Sequence, residues 1–382
     1  MDSSGKAGAA VSDLQVRSVR TAAELDAFIQ VAWSVQGADP NWVPPLRKEV
    51  KRLLGPSHPF WARAERELFL AERGGCAVGR ICAIKDTAFI EHQGEQAGAW
   101  GFFECQHDQE AAQALFDAAA QWCRARGLAL MRGPFNPSTN YEIGMLVEGF
   151  DVPPAIMMTY NPPWYPALVE GCGLTKEKDL YAYLFLQGHQ TPERLLKAIK
   201  RLRRNAEISV RHTTRKTLRA DVELMCRLFE ESWKDNWGFT PMNPAEIDLM
   251  AESLLPILDE DLAFVINYSG EPVAIALLLP DVNPLLKRLN GSLGLRGVLK
   301  YLLHRREIRG TRVTLFGIRP EFRKRGLPLV LLDYLIEHVG GNPKYDYLEA
   351  GWTLEDNDAI NSLLEQFGGR RHKRYRIYRQ DL

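Results

Sequence analysis

An excess of charge of either sign is the first thing this chain lacks. Its 382 residues carry 48 Lys and Arg against 48 Asp and Glu, a formal net charge of zero. A protein that grips nucleic acid by its phosphates usually shows a basic excess, so no nucleic-acid partner is expected. Long apolar runs are missing too. The longest, Val273–Leu279, falls far short of the roughly 20 residues that span a bilayer. The stretch Met1–Asp13 is small and polar, without the apolar core of a signal peptide, and reads as a disordered tail ahead of a cytoplasmic protein. Paired cysteines are absent as well. Cys76, Cys82, Cys105, Cys123, Cys172 and Cys226 never form a C-x-x-C, and none sits beside a His at ligand spacing. Neither a metal site nor a disulfide framework is expected, and scattered thiols suit a reducing compartment.

What is present is ordinary globular material, 46% hydrophobic and 25% charged, in a length that suggests two domains. The two are related. Trp42 in Asp39–Pro45 and Trp237 in Asp235–Pro241 lie 195 residues apart, and the same offset links Val78 to Val273, Gly173 to Gly368 and Tyr183 to Tyr378. Repetition at a fixed offset is the signature of an internal duplication.

Each copy runs in the same order. An amphipathic helix (Ala22–Val35; Arg219–Trp233) shows apolar residues at three- and four-residue spacing. A hairpin follows, turning at Gly74-Gly75 in one copy and Ser269-Gly270 in the other. Next a strand feeds a long helix: Trp100–Glu104 into Gln109–Arg126, and Arg312–Ile318 into Leu327–Val339. Closing strands rich in Tyr, Leu and Ile span Leu180–Leu186 and Arg374–Tyr378. The fold class is α+β, two tandem domains with mixed, mostly antiparallel sheets flanked by helices. The expected divisions are a tail over 1–13, a first domain over 14–187, a linker over 188–210 and a second domain over 211–382. The linker contains a basic amphipathic helix, Pro192–Asn205. Insertions interrupt the first copy at Gly133–Pro163 and the second at Asp281–Arg309.

The segment Phe316–Pro328 resembles the acyl-CoA site of the GNAT N-acyltransferases. There a strand, a Q/R-x-x-G-x-G/A loop and a helix N-terminus cradle a pyrophosphate. The loop here is Arg323-Lys324-Arg325-Gly326-Leu327-Pro328, followed by a strand at Tyr345–Gly351 and the helix start Glu355–Ile360. A helix N-terminus offers N–H groups and partial positive charge to an anion, and glycine admits close approach. The resemblance covers nearly the whole chain. The chain is similar to bacterial tandem GNAT proteins, ceramide synthase-like ones among them, and its tandem layout is similar to that of the Fem-type aminoacyl transferases. It implies acyl-CoA as co-substrate, with Ile318, Arg323, Lys324, Arg325, Gly326, Leu327 and Asn357 as coenzyme A contacts. Two positions depart from the family: Pro328 replaces Gly or Ala and removes one N–H, and Leu364 replaces a Tyr that serves as general acid. The equivalent loop of the first copy, Gln106–Glu110, has no glycine and two acids. Coenzyme A is therefore expected in the second copy alone.

Amine acylation needs a base for the attacking nitrogen, and a Glu is the usual one. Glu104, set among Trp100, Phe102 and Phe103, and Glu349, in the strand that should face the thioester, are the candidates. The first insertion, rich in Asn, Tyr, Met and Pro, supplies candidate acceptor contacts: Asn136, Asn140, Tyr141, Tyr160, Asn161 and Tyr165, with Trp237 joining them from the second copy. The second insertion interleaves apolar and basic residues over 283–306, a pattern that suits a membrane surface or the wall of a fatty-chain tunnel. The expected activity is transfer of an acyl group, fatty rather than short, to a primary amine such as a sphingoid base. Short-chain acetylation, aminoacyl transfer and a binding protein without chemistry are the alternatives, and an acyl-carrier protein can present the same pantetheine arm as coenzyme A.

Overall fold

The computed structural model describes residues 13–234 and 236–382, except the side chains of Leu295, Arg296, Val298 and Leu302. All of the expected tail but Asp13, and Asp235 of the Trp237 repeat segment, lie outside the described residues.

The first half contains β1 (Leu14–Ser18), α1 (Ala22–Gln36), α2 (Arg47–Leu53), β2 (Ala64–Arg73), β3 (Cys76–Asp86), α3 (Thr87–Gln93), β4 (Ala97–Cys105), α4 (Gln109–Arg124), β5 (Leu130–Gly133), β6 (Phe135–Asn136), β7 (Glu142–Ile143), β8 (Met145–Glu148), α5 (Tyr165–Gly171) and β9 (Thr175–Leu186). After α6 (Glu193–Arg203) the second half runs β10 (Ile208–His212), α7 (Leu218–Trp233), α8 (Pro244–Leu254), β11 (Ala263–Tyr268), β12 (Glu271–Pro280), α9 (Asn283–Leu289), α10 (Leu295–His304), β13 (Gly310–Ile318), α11 (Leu327–Gly340), β14 (Tyr347–Leu354), α12 (Asp358–Gln366) and β15 (Arg370–Asp381).

Among the described residues the two halves share one sheet, ordered β1-β2-β3-β4-β5-β15-β9-β14-β13-β12-β11-β10, with β8 attached to β15. All neighbours on this path are antiparallel except two matched parallel pairs, β4 with β5 and β13 with β14. The closing strands are exchanged. β9, from the first copy, lies beside β14, whereas β15, from the second, lies beside β5.

Sequence explains the layers. Every residue of β4 is buried, as a strand covered on both faces requires. In α4, Ala112, Leu115, Phe116, Ala119 and Cys123 recur at helical spacing and form one buried stripe. The start of α8 is fixed by Asn243 and Glu246, whose side chains accept each other's backbone N–H groups, with Pro244 in the first turn. The linker helix does more than connect. Ile199 of α6 is buried in the core around α11, and Arg203 pairs with Asp333 at 2.7 Å and Glu337 at 2.8 Å.

The second insertion departs from the single amphipathic segment expected over 283–306. Asn290, in the left-handed conformation, ends α9 and splits it in two. Leu285 and Leu289 of α9 are buried, while Leu293, Leu299 and Leu303 in and before α10 are exposed.

Candidate active site

The parallel strands β13 and β14 pair only from Gly310 to Val313 and from Tyr347 to Ala350, and then diverge. A cavity of about 720 Å³ occupies the opening. Its walls include Met225 and Leu254, which belong to the core under α7 and α8, and Leu332 and Leu335, which belong to the core under α11. Those two cores lie on opposite faces of the sheet. A space that touches both must pass through the sheet, and the seam between β13 and β14 is where it can. At one end stand Arg323 and Pro328, at the start of α11, and Asn357 caps α12 along the wall.

The loop leading to α11 is a turn of 3-10 helix over Pro320–Arg325, ended by Gly326 at φ +79°. A side chain at Gly326 would face both that dihedral and Leu202 of α6, whose Cδ1 lies 2.7 Å from the place a Cβ would take. Arg323 pins the loop from within: its guanidinium donates to the carbonyls of Ile318 (3.2 Å) and Ser232. Lys324 and Arg325 are exposed.

The same seam in the first half is closed by the chain itself. β4 and β5 pair over Ala97–Ala99 and Leu130–Arg132, and the β6 segment that follows β5 then lies against β4. The backbone N–H of Phe102 donates to Oδ1 of Asn136 at 2.6 Å, and a Cβ on Gly101 would fall 1.7 Å from the carbonyl oxygen of Phe135. At the head of α4, Asp108 takes the N-terminal position: its carboxylate accepts from the N–H of Ala111 at 3.0 Å and pairs with Arg73 at 2.9 Å. An anionic side chain thus occupies the head of α4, and the Phe135 peptide occupies the gap beside β4.

No family model matches the chain. Full-length relatives do. A protein named bacterial ceramide synthase, from Caulobacter vibrioides, is 35% identical over 380 residues, 97% of this chain and 98% of the relative. The chain belongs to the tandem GNAT acyltransferases. Protein YghO of Escherichia coli is 33% identical over 372 residues, 96% of this chain and 95% of its own. Among solved structures, a tandem GNAT protein from the clavulanic acid biosynthesis pathway aligns with a TM-score of 0.54 at 10% identity, covering 96% of this chain and 98% of that one. A GCN5-related N-acetyltransferase from Sphaerobacter thermophilus aligns at 0.52 and 15%, covering 97% and 96%. At such identities the likeness is one of fold.

In this tandem GNAT acyltransferase the open seam lies in the second copy, and acyl-CoA is the co-substrate that the fold implies. Of the residues expected to contact it, Ile318, Arg323 and Asn357 line the cavity. Lys324, Arg325, Gly326 and Leu327 form the turn at its end, although Leu327 turns its side chain into the core. Leu364 also lines the cavity, so no phenol stands there.

The expected acceptor contacts divide. Asn140, Tyr141 and Trp237 line the cavity. Asn140 donates to the Thr240 carbonyl at 2.9 Å and Tyr141 to Glu246 at 2.9 Å, which ties the first insertion to the α7–α8 connection. The other four have structural partners away from it. Asn136 caps Phe102 as described. Tyr160 bonds Asp39 at 3.0 Å, and Asn161 both accepts from and donates to the backbone of Leu146. Tyr165 is buried between Glu104 and the N–H of Cys105.

The two expected bases are enclosed. Glu104 is 8% exposed and held by Gln36 at 2.8 Å, Tyr165 at 2.7 Å and Arg80 at 3.4 Å. It neutralises a buried arginine in the first copy's core and does not line the cavity. Glu349 is 2% exposed and accepts from Nε2 of His372 at 2.8 Å. Burial pushes its pKa up, but the His372 hydrogen bond and the charges of Lys373, His372 and Arg312 outweigh burial and hold it below the usual carboxylate range. A carboxylate so stabilised is a weak base.

Sequence reasoning passed over Arg312. Arg312 lines the cavity and straps its apex, donating to the carbonyls of Gly351 at 3.0 Å and Ile156 at 3.1 Å. The signal available was a single cation opening an otherwise apolar strand.

Proposed function

We propose that this acyltransferase moves a fatty acyl group from coenzyme A to the primary amine of a long-chain amino alcohol, a sphingoid base, and so makes a ceramide-like amide. The observation that carries this is the length and character of the cavity. It continues from the coenzyme A loop through the seam to Met225, Met250 and Leu254 beneath α7 and α8, along mostly apolar walls. An acetyl group needs no such space, whereas burying a hydrocarbon chain there gains about 0.8 kcal/mol per CH2. The name of the Caulobacter relative agrees with this choice of substrates.

The protein's part is to hold and align. The carbonyl of the thioester comes to rest near the apex of the seam, and the amine approaches from the side of Tyr141 and Trp237. Thiolate is a tolerable leaving group, since a free thiol has a pKa near 8.5, which accommodates Leu364 in place of a phenol. The exposed Leu299 and Leu303 of α10, with Lys300 beside them and Arg305 and Arg306 just beyond, suit contact with an anionic bilayer that supplies the lipid amine. Among the described residues, no helix is long and apolar enough to cross a membrane.

The test is thiol release from acyl-CoAs running from acetyl to palmitoyl, with and without a long-chain amino alcohol. Amine-dependent release that rises with chain length is the expected outcome. Release confined to acetyl-CoA would replace this function with short-chain acetylation. The same series on acyl-carrier protein tells which donor presents the arm.

A further inference from the structure

We propose that Arg312 is a catalytic residue of the second copy's cleft: its guanidinium holds the thioester carbonyl oxygen and stabilises the oxyanion formed when the amine attacks. This role rests on the acyl-transfer function above and names the group that activates the donor.

Position comes first. Arg312 and Glu349 are partners across the parallel strands, one step before the last pair, Val313 with Ala350. The Arg312 side chain reaches past that pair, because Nη2 donates to the carbonyl of Gly351 at 3.0 Å. Nη1 donates to the carbonyl of Ile156 at 3.1 Å, in the first copy's insertion. The guanidinium thus bridges the point where the strands part, and Arg312, Ala350 and Gly351 all line the cavity there. One copy supplies the cation and the other copy's insertion helps to aim it.

Availability comes second. An arginine carries more N–H donors than these two carbonyls can take. The side chain is 5% exposed, and its Nε has no partner among the described residues. Buried donors are rarely left unpaired, so a guanidinium with donors to spare at a cavity wall marks a place for an acceptor oxygen. Glu349, across the strands, accepts from His372 at 2.8 Å rather than from Arg312. The other charged side chains on the wall, among the described residues, are Arg323 and Asp356. Both are committed, Arg323 to the carbonyls of Ile318 and Ser232 and Asp356 to Lys178 at 2.7 Å. Arg312 instead shares its part of the wall with Leu277, Leu279, Val313 and Leu315.

Chemistry comes third. A fixed cation in apolar surroundings acts on developing negative charge far more strongly than one in water, and it needs no reorganisation as the charge appears. The carbonyls of Gly351 and Ile156 hold the guanidinium in place beforehand. The attacking nitrogen, neutral after losing a proton to solvent, forms the C–N bond. The carbonyl π pair moves onto the oxygen beside Arg312 and returns as the C–S bond breaks. The extra N–H proton goes to the departing sulfur, giving amide and free thiol. Arg312 gives up no proton of its own.

The experiment compares the full-length parent with Arg312→Lys and Arg312→Gln. Each is mixed with acetyl-CoA or palmitoyl-CoA, isotope-labelled at the thioester carbonyl carbon, without amine. Difference infrared spectroscopy should place the bound carbonyl stretch below its frequency in water in the parent. The shift should be smaller in Arg312→Lys and lost in Arg312→Gln. In turnover with a long-chain amino alcohol, Arg312→Gln should lose about 100-fold or more of kcat. Arg312→Lys should recover part of it, and coenzyme A affinity should stay at the parental value in both. A strap that served structure alone would lower thermal stability and leave the carbonyl band where the parent has it. An equal shift in the parent and Arg312→Gln therefore overturns the proposal. So does an unshifted band in the parent, a result that needs no variant to fold. A shifted band with turnover confined to acetyl-CoA overturns the fatty-acyl function and supports Arg312 in its role. Binding of neither thioester to the parent overturns both.

Discussion

Leu180 of β9 and Tyr375 of β15 face each other in one antiparallel ladder, and they are also counterparts in the two copies, 195 residues apart. A residue that pairs with its own repeat lies on a pseudo-two-fold axis. Around that axis each copy hands its closing strand to the other. The C-terminal strand should therefore matter most to the N-terminal half. Tyr378 is fully buried in the core built by α4 and α5, and its hydroxyl donates to Glu170 at 2.9 Å. Tyr378→Ala should cost about 3–4 kcal/mol. Hydrogen exchange should quicken in β5, α4 and α5 before α11. Faster exchange in α11 alone would contradict the exchange of strands.

Beside that axis, Asp179 is 1% exposed and meets Arg376 at 2.8 Å, Lys176 at 3.2 Å and Arg374 at 3.5 Å. Burial raises its pKa, but hydrogen bonds and charge from Arg376 and Lys176 outweigh burial and leave it depressed. A carboxylate depressed in the folded state adds stability above its unfolded pKa, about 3.9, and that contribution is lost as pH falls through the folded value. Asp179→Asn should cost about 3 kcal/mol at neutral pH by leaving Arg376 without its main partner. Urea midpoints for parent and variant should converge as pH drops below about 4. Parallel midpoints down to acid would show that Asp179 does not carry the effect.

Much of this architecture was legible in the chain. Tyr183 and Tyr378, Val78 and Val273, and Gly-containing turns at one offset revealed the duplication, because strands and turns constrain residue type locally. Arg323–Leu327 marked a tight turn before a helix for the same reason: such a turn has few solutions. The exchange of closing strands was not legible, since β9 and β15 resemble each other and either could sit beside β5. Nor was the fate of Asn136 and Tyr165. Both read as cleft residues by polarity, yet a polar side chain serves equally well to satisfy a buried N–H or carboxylate. Glu104 follows the same rule. Its apolar neighbours marked a carboxylate with a partner, and the partner was Arg80 in the core.

The filled seam of the first copy predicts one coenzyme A per chain. Isothermal titration should give a stoichiometry near one, and Lys324→Glu with Arg325→Glu should weaken binding about tenfold, roughly 1.4 kcal/mol. Asn136→Ala should leave that stoichiometry alone while costing about 1–3 kcal/mol of stability, because the Phe102 N–H loses its acceptor. Asp108 still blocks the head of α4 in that variant. Two sites per chain would show that the first copy's seam opens.

Chain length offers the sharpest test of the cavity. Met225 and Leu254 are 1% and 6% exposed and line the cavity under α7 and α8, away from the turn Arg323–Leu327. A larger side chain there fills space without touching the pyrophosphate or the apex of the seam. Leu254→Trp should therefore lower turnover of palmitoyl-CoA about tenfold or more relative to acetyl-CoA, because each methylene displaced from an apolar site forfeits about 0.8 kcal/mol. The binding of coenzyme A itself should not change. Met225→Trp, from α7, should act the same way, and agreement between the two separates a blocked chain from a local packing defect. Overpacking itself costs about 1–3 kcal/mol of stability, so thermal unfolding of each variant must accompany the rates. Equal loss on acetyl and palmitoyl substrates would mean that the chain lies elsewhere, and the space beneath α7 and α8 would then have to be assigned to the acceptor.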